Sequence, residues 1–136
     1  MSAGTFRLVL RSCAVACIAA ALPHIVLGVA AERLLDPALP PSLATLASLD
    51  SQNRFYGAAF LIYGVLLWRC ARDPVGDAAL LRALLWVFFA GGLARVVSIV
   101  LVGWPSPVVL ALAGVELVLP PILLAWLARA VRRAHG

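Results

Sequence analysis

Leu80-Leu-Arg-Ala-Leu-Leu-Trp-Val-Phe-Phe-Ala-Gly-Gly-Leu-Ala-Arg-Val-Val-Ser-Ile-Val-Leu-Val102 decides how the rest of the sequence is read. Arg82, Arg95 and Ser98 are its only polar side chains. A helix needs about 20 mostly apolar residues to cross the roughly 30 Å hydrocarbon core of a bilayer, and this stretch is long enough. Working outward, a second such window opens at Ser106-Pro107, a serine cap followed by proline at the first helical position, and runs to about Arg129. Upstream, Ser12 to Ala31 forms a third window. The fourth has an apolar core, Phe55 to Trp68, that is too short alone; it borrows Ser51-Gln-Asn-Arg54 on one side and Arg69 on the other.

Composition agrees. Of the 136 residues, 64% are apolar, against roughly 45–50% in soluble domains, and the mean hydropathy is +1.04. A soluble fold of this size has no interior for so many apolar side chains, so lipid has to solvate them. The sequence therefore predicts an all-α, single-domain chain over residues 1–136: an integral membrane four-helix bundle running up-down-up-down, with spans at about 12–31, 51–70, 80–102 and 107–129. The lipid bilayer is its first partner.

The net charge of +5 comes from eleven basic residues, all arginine. They gather at segment ends and not in a groove-tracking stripe, which speaks against nucleic acid. Arg7, Arg11, Arg69, Arg72, Arg82, Arg129, Arg132 and Arg133 fall on one side of the bundle, and Arg33 alone falls on the other. The positive-inside rule then places both termini and the 69–77 loop in the cytoplasm of a bacterial inner membrane. The rival reading, a cleavable signal peptide, takes Arg7 and Arg11, the apolar run Cys13–Leu22 and the small residues Val29-Ala-Ala31. The window is long for an h-region and carries Pro23 and His24 at its centre, so a retained first helix is expected.

Between the first two spans lies the longest connection, residues 32–49. Pro37, Pro40 and Pro41 break any helix there, and residues 42–49 suit a short surface helix. Gly103-Trp-Pro-Ser106 is a tight turn whose Trp104 suits the interfacial belt.

Ionisable groups inside a bilayer cost about 2.5–3.5 kcal/mol at a helix centre on insertion scales. They persist when paired, hydrated or functional. Counting from the outer ends, His24, Arg95 and Glu116 lie at similar depth, and Asp50, Asn53 and Arg54 open the second span on the same side. At 100° per residue, Cys13, Cys17, Ala20, His24, Gly28 and Ala31 share a stripe. Asp50, Arg54, Gly57, Leu61, Gly64 and Trp68 share another, and Gly91, Arg95 and Ser98 a third. Pro120 and Pro121 have no N–H, so the carbonyls of Glu116 and Leu117 lose their partners four residues on.

The polar cluster is thus His24, Asp50, Asn53, Arg54, Arg95, Ser98 and Glu116. One reading is structural: two ion pairs lock the helices, with Asp50 capping the second span. The other is an outward-facing pocket bordered by His24, Asn53, Arg54, Arg95 and Glu116. There the arginines hold a small lipophilic or anionic ligand, and Glu116 or His24 is the candidate acid–base group. Tyr56 and Tyr63 suit packing or the interface. No metal-ligand spacing, cofactor fingerprint, phosphate loop or nucleophile elbow is present. The cysteines form no disulfide framework, and Cys13 and Cys17 suit helix packing.

Asp50-Ser-Gln-Asn-Arg-Phe-Tyr-Gly57, Gly91-Gly-Leu-Ala-Arg-Val-Val-Ser98, Gly103-Trp-Pro-Ser-Pro107 and Glu116-Leu-Val-Leu-Pro-Pro121 together carry a resemblance. From about Asp50 to Trp126 the chain resembles a family of small bacterial four-helix membrane proteins known only as a domain of unknown function, and more distantly it is similar to DoxX-like membrane proteins. That resemblance implies fold and membrane location and brings no activity. Three functions stay open: binding a ligand or supporting a membrane partner, acting on an isoprenoid or quinone-type substrate with Glu116 as acid–base, or small-molecule transport by a dimer, the homo-oligomer a transporter would need because four helices alone enclose little volume.

Overall fold

The structure, a computed structural model, describes residues 3–135. Among these residues there is no strand. Four long helices carry the chain: α1 (Ala3–Leu27), α3 (Ala47–Cys70), α4 (Ala78–Val102) and α5 (Pro107–His135), with a short α2 (Glu32–Leu35) after a 3-10 turn at Gly28–Ala31. By length and composition, three helical stretches are apolar enough to cross a membrane: Gly4–Leu35, Ala78–Val102 and Pro107–Ala134. The second long helix falls short because Asp50, Gln52, Asn53, Arg54 and Arg69 lie within it.

Two expectations are corrected. The first helical stretch does not give way to a loop at Glu32. The 3-10 turn passes straight into α2, so the stretch ends at Leu35, just before Asp36-Pro37. Nor do residues 42–49 form one short helix. Pro41–Thr45 is a 3-10 turn, tied by Thr45 Oγ1 donating to the Ser42 carbonyl at 2.7 Å, and Leu46 is extended. Ala47 then starts α3 four residues earlier than predicted, with Asp50 N–H bonded to the Leu46 carbonyl.

Contacts divide the chain into two compact units, residues 9–69 and residues 3–8 with 70–135. In the first, α1 and α3 meet along a seam of small residues. A Cβ added to Gly57 would lie 3.0 Å from Ile25 N and His24 Cβ, and one added to Gly64 would lie 3.1 Å from the Ala14 carbonyl oxygen. Small residues let the two helix backbones approach closely. Within this unit the buried positions of α1 are Leu10, Ala14, Cys17 and Ala21. Their stripe is turned slightly from the predicted one, and Ala20 is exposed.

In the second unit, α4 and α5 pack side by side. Gly92 is the point of close approach, where an added Cβ would sit 2.9 Å from Leu117 Cγ and 3.1 Å from the Glu116 carbonyl carbon. Ser106 starts α5 as expected, its Oγ accepting from the Val109 N–H at 3.4 Å. The helix is continuous through Pro120 and Pro121, burying Ala113, Glu116, Pro120, Leu123 and Leu127 at alternating steps of three and four. Large apolar side chains elsewhere lie open, Val102 at 85% and Trp104 at 79% exposure among them.

Candidate functional site

The polar residues of the first unit form two linked groups. At Gly28 the α-helix tightens into the 3-10 turn, leaving the carbonyls of Ile25 and Val26 without helical partners. Arg54 supplies them: its Nη1 donates to the Ile25 carbonyl at 2.6 Å and the Val26 carbonyl at 3.1 Å, and its Nε to Asp50 Oδ2 at 2.7 Å. The other Asp50 oxygen accepts the Val29 N–H at 3.1 Å. Gly28 itself has φ +61°, a conformation L side chains rarely adopt. A Cβ there would collide with the Asp50 carboxylate. Asp50 therefore joins α3 to α1 and does not cap its own helix. Arg54 is spent on this latch.

The other group centres on Glu32, which the sequence reading had placed in a loop. Asn53 Nδ2 donates to Glu32 Oε1 at 2.5 Å, and His24 Nε2 lies 3.6 Å from the same oxygen. His24 Nδ1 is 2.7 Å from the Ala20 carbonyl. A carbonyl only accepts, so Nδ1 carries a proton and Nε2 is the nitrogen left to face Glu32. Asn53 is buried, and its Oδ1 has no hydrogen-bond partner. The signal for Glu32 was present: Arg33-Leu-Leu35 continues the helical pattern, and the first breaker is Pro37.

In the second unit, Arg95 Nε donates to Glu116 Oε2 at 2.7 Å, with Glu116 at 10% side-chain exposure and Arg95 at 39%. Glu116 thus grips one edge of the guanidinium, leaving the two terminal nitrogens for another acceptor. Arg95 lines a small cleft with Ser98, Ile99, Gly103, Pro105, Val109 and Ala113, about 80 Å³ in volume. Glu116 does not line it. A larger hollow beside α3, lined by Ala47, Ser48, Ser51, Gln52 and Phe55, is a shallow face of one helix without a charged group.

Each predicted site residue is thus placed. Asp50 joins Arg54, His24 and Asn53 join Glu32, Arg95 joins Glu116, and Ser98 shares the cleft with Arg95.

Residues 5–127 match the family described as a domain of unknown function, DUF4345. The chain belongs to that family. The family domain takes in α1, which the resemblance had left out. No curated protein and no solved structure matches the chain.

Proposed function

We propose that this DUF4345 protein is a four-pass protein of the bacterial inner membrane, an up-down-up-down bundle with both termini cytoplasmic, that binds the anionic headgroup of a small amphiphile at Arg95. One observation carries this reading: Arg95 is anchored through Nε by a buried carboxylate and is itself one of the residues lining a cleft. Arginine has five donors in a planar fork, and Nε on Glu116 uses one. The outer edge suits a carboxylate or phosphate, which it meets with paired hydrogen bonds. Ser98 adds a hydroxyl beside it.

Volume sets the ligand class. A water occupies about 30 Å³ of liquid, and pockets that enclose drug-sized ligands run to roughly 300–1,000 Å³. A cleft of about 80 Å³ takes a headgroup and leaves the tail to lipid. The same geometry weighs against Glu116 as an acid–base catalyst: it stands behind Arg95, bonded to it, and positions it.

The test uses purified protein in neutral detergent, with oleate as the anionic probe and oleyl alcohol as its uncharged counterpart. Oleate raises the melting temperature of the native chain and oleyl alcohol does not. Arg95→Lys keeps part of the response, while Arg95→Gln, shown folded by gel filtration, loses it. Equal responses to oleate and oleyl alcohol, or an undiminished response in the glutamine variant, would overturn the reading.

A further inference from the structure

The second unit holds a charged surface that the Arg95 cleft does not use. Arg7, Arg72, Arg82, Arg129, Arg132 and Arg133 are all exposed, and none has an ion-pair partner among the described residues. Of the acids in this unit Glu116 is paired with Arg95, which leaves Asp73 and Asp77. Asp73 is exposed, and its carboxylate accepts the Gly76 N–H of its own loop at 3.0 Å. Six guanidiniums thus face two acids.

Helix lengths place these arginines. The four-residue connection 103–106, with the exposed Trp104, marks the outer end of both α4 and α5. At 1.5 Å per residue, the hydrocarbon core takes about 20 residues of helix. Counted back from Val102 along α4, that distance ends at Ala83, next to Arg82. Counted forward from Pro107 along α5, it ends at Trp126, one turn before Arg129. Two independent counts put Arg82 and Arg129 at the same inner boundary, with Trp126 at belt depth. The Phe6 ring lies 4.8 Å from the Trp126 ring, which brings Arg7 to that level too. α5 has 29 residues, so its last turns, with Arg132 and Arg133, project past the hydrocarbon into the headgroup layer.

We infer that this arginine rim is a binding site for anionic phospholipids of the cytoplasmic leaflet, gripping their phosphates as guanidinium forks do. The inference rests on the membrane reading above but not on the Arg95 cleft, which lies at the opposite end of α4 and α5.

Delipidated protein in mild detergent is mixed with vesicles of equal parts phosphatidylglycerol and phosphatidylcholine, and retained lipids are counted by native mass spectrometry. Phosphatidylglycerol is retained in preference. A basic residue near an anionic surface contributes about fivefold at low salt, so neutralising four of them with Arg82→Gln, Arg129→Gln, Arg132→Gln and Arg133→Gln brings the preference close to one. The native chain supplies a check that needs no variant: raising the salt concentration lowers its preference. Equal retention of the two lipids by the native chain overturns the inference and leaves the membrane reading standing. Displacement of phosphatidylglycerol by millimolar inorganic phosphate overturns lipid as the occupant. A chain that retains neither lipid and stays soluble without detergent sinks both.

Discussion

Glu116 at 10% side-chain exposure stands among apolar residues on every turn of α5. Removing a carboxylate from water costs several kcal/mol even after relaxation, and a partner recovers this only when geometry is good. Arg95 Nε at 2.7 Å meets that condition. Taking away one partner strands the other, at about 3–5 kcal/mol for a buried pair; with Arg95 at 39% exposure the loss falls toward the lower figure. Arg95→Leu and Glu116→Leu should therefore each lower the melting temperature in detergent. The double variant should recover most of it, because two leucines leave nothing charged behind. If the two losses simply add, the contact contributes no coupling. The pair was legible in the sequence, since α4 and α5 are joined by a four-residue turn and carry the two residues at matching depth. The Glu32–Asn53 contact was not. The pattern running on to Pro37 could have kept Glu32 in a helix, but the tightening into a 3-10 turn at Gly28 that brings it to Asn53 has no register in hydropathy.

Between elements, the seam of α1 and α3 is set by what is missing from Gly57 and Gly64. At Gly64 a Cβ would lie 2.8 Å from Ile18 Cγ1 and 3.1 Å from the Ala14 carbonyl oxygen, a backbone atom that moves only if the helix moves. Gly114 on α5 has open space at the same position. Alanine is the better helix former by about 0.8–1.0 kcal/mol. Gly114→Ala should accordingly hold or raise the melting temperature. Gly64→Ala should lower it, through a loss of stability in the range of about 1–3 kcal/mol known for overpacking. The same substitution moves stability in opposite directions, and identical shifts would deny the seam. Sequence periodicity found the α3 stripe through Gly57 and Gly64 because both glycines recur at helical spacing. It misjudged the rotation of α1, where so many residues are small that alanine and cysteine positions look alike on every face. It misjudged the start of α3 for another reason: Ser42-Leu-Ala-Thr-Leu-Ala-Ser-Leu49 has helical propensity throughout, and only the extended backbone at Leu46 divides it.

For the molecule as a whole, the distribution of arginine is an argument about direction. Insertion follows the Lys and Arg content of short flanking segments, and here eight arginines flank one set of ends against Arg33 on the other. The second crossing is the one at stake. α3 lacks the composition to insert by itself, so it depends on its neighbours in the chain and on the latch at Asp50 and Arg54. That latch satisfies its charges on the α1 carbonyls and leaves few polar groups to oppose entry. If α3 crosses, residues 36–46 and the 103–106 turn face outward and the C-terminus returns to the cytoplasm. If it lies on the surface instead, the order of the later helices inverts and the C-terminus is periplasmic. Alkaline phosphatase fused after Ala44 should be active, and the same enzyme fused after Arg133 should be silent, while a fluorescent protein after Arg133 should glow. Phosphatase activity at Arg133 would show that the chain crosses three times, and would place the arginines of α5 on the side that the charge rule forbids.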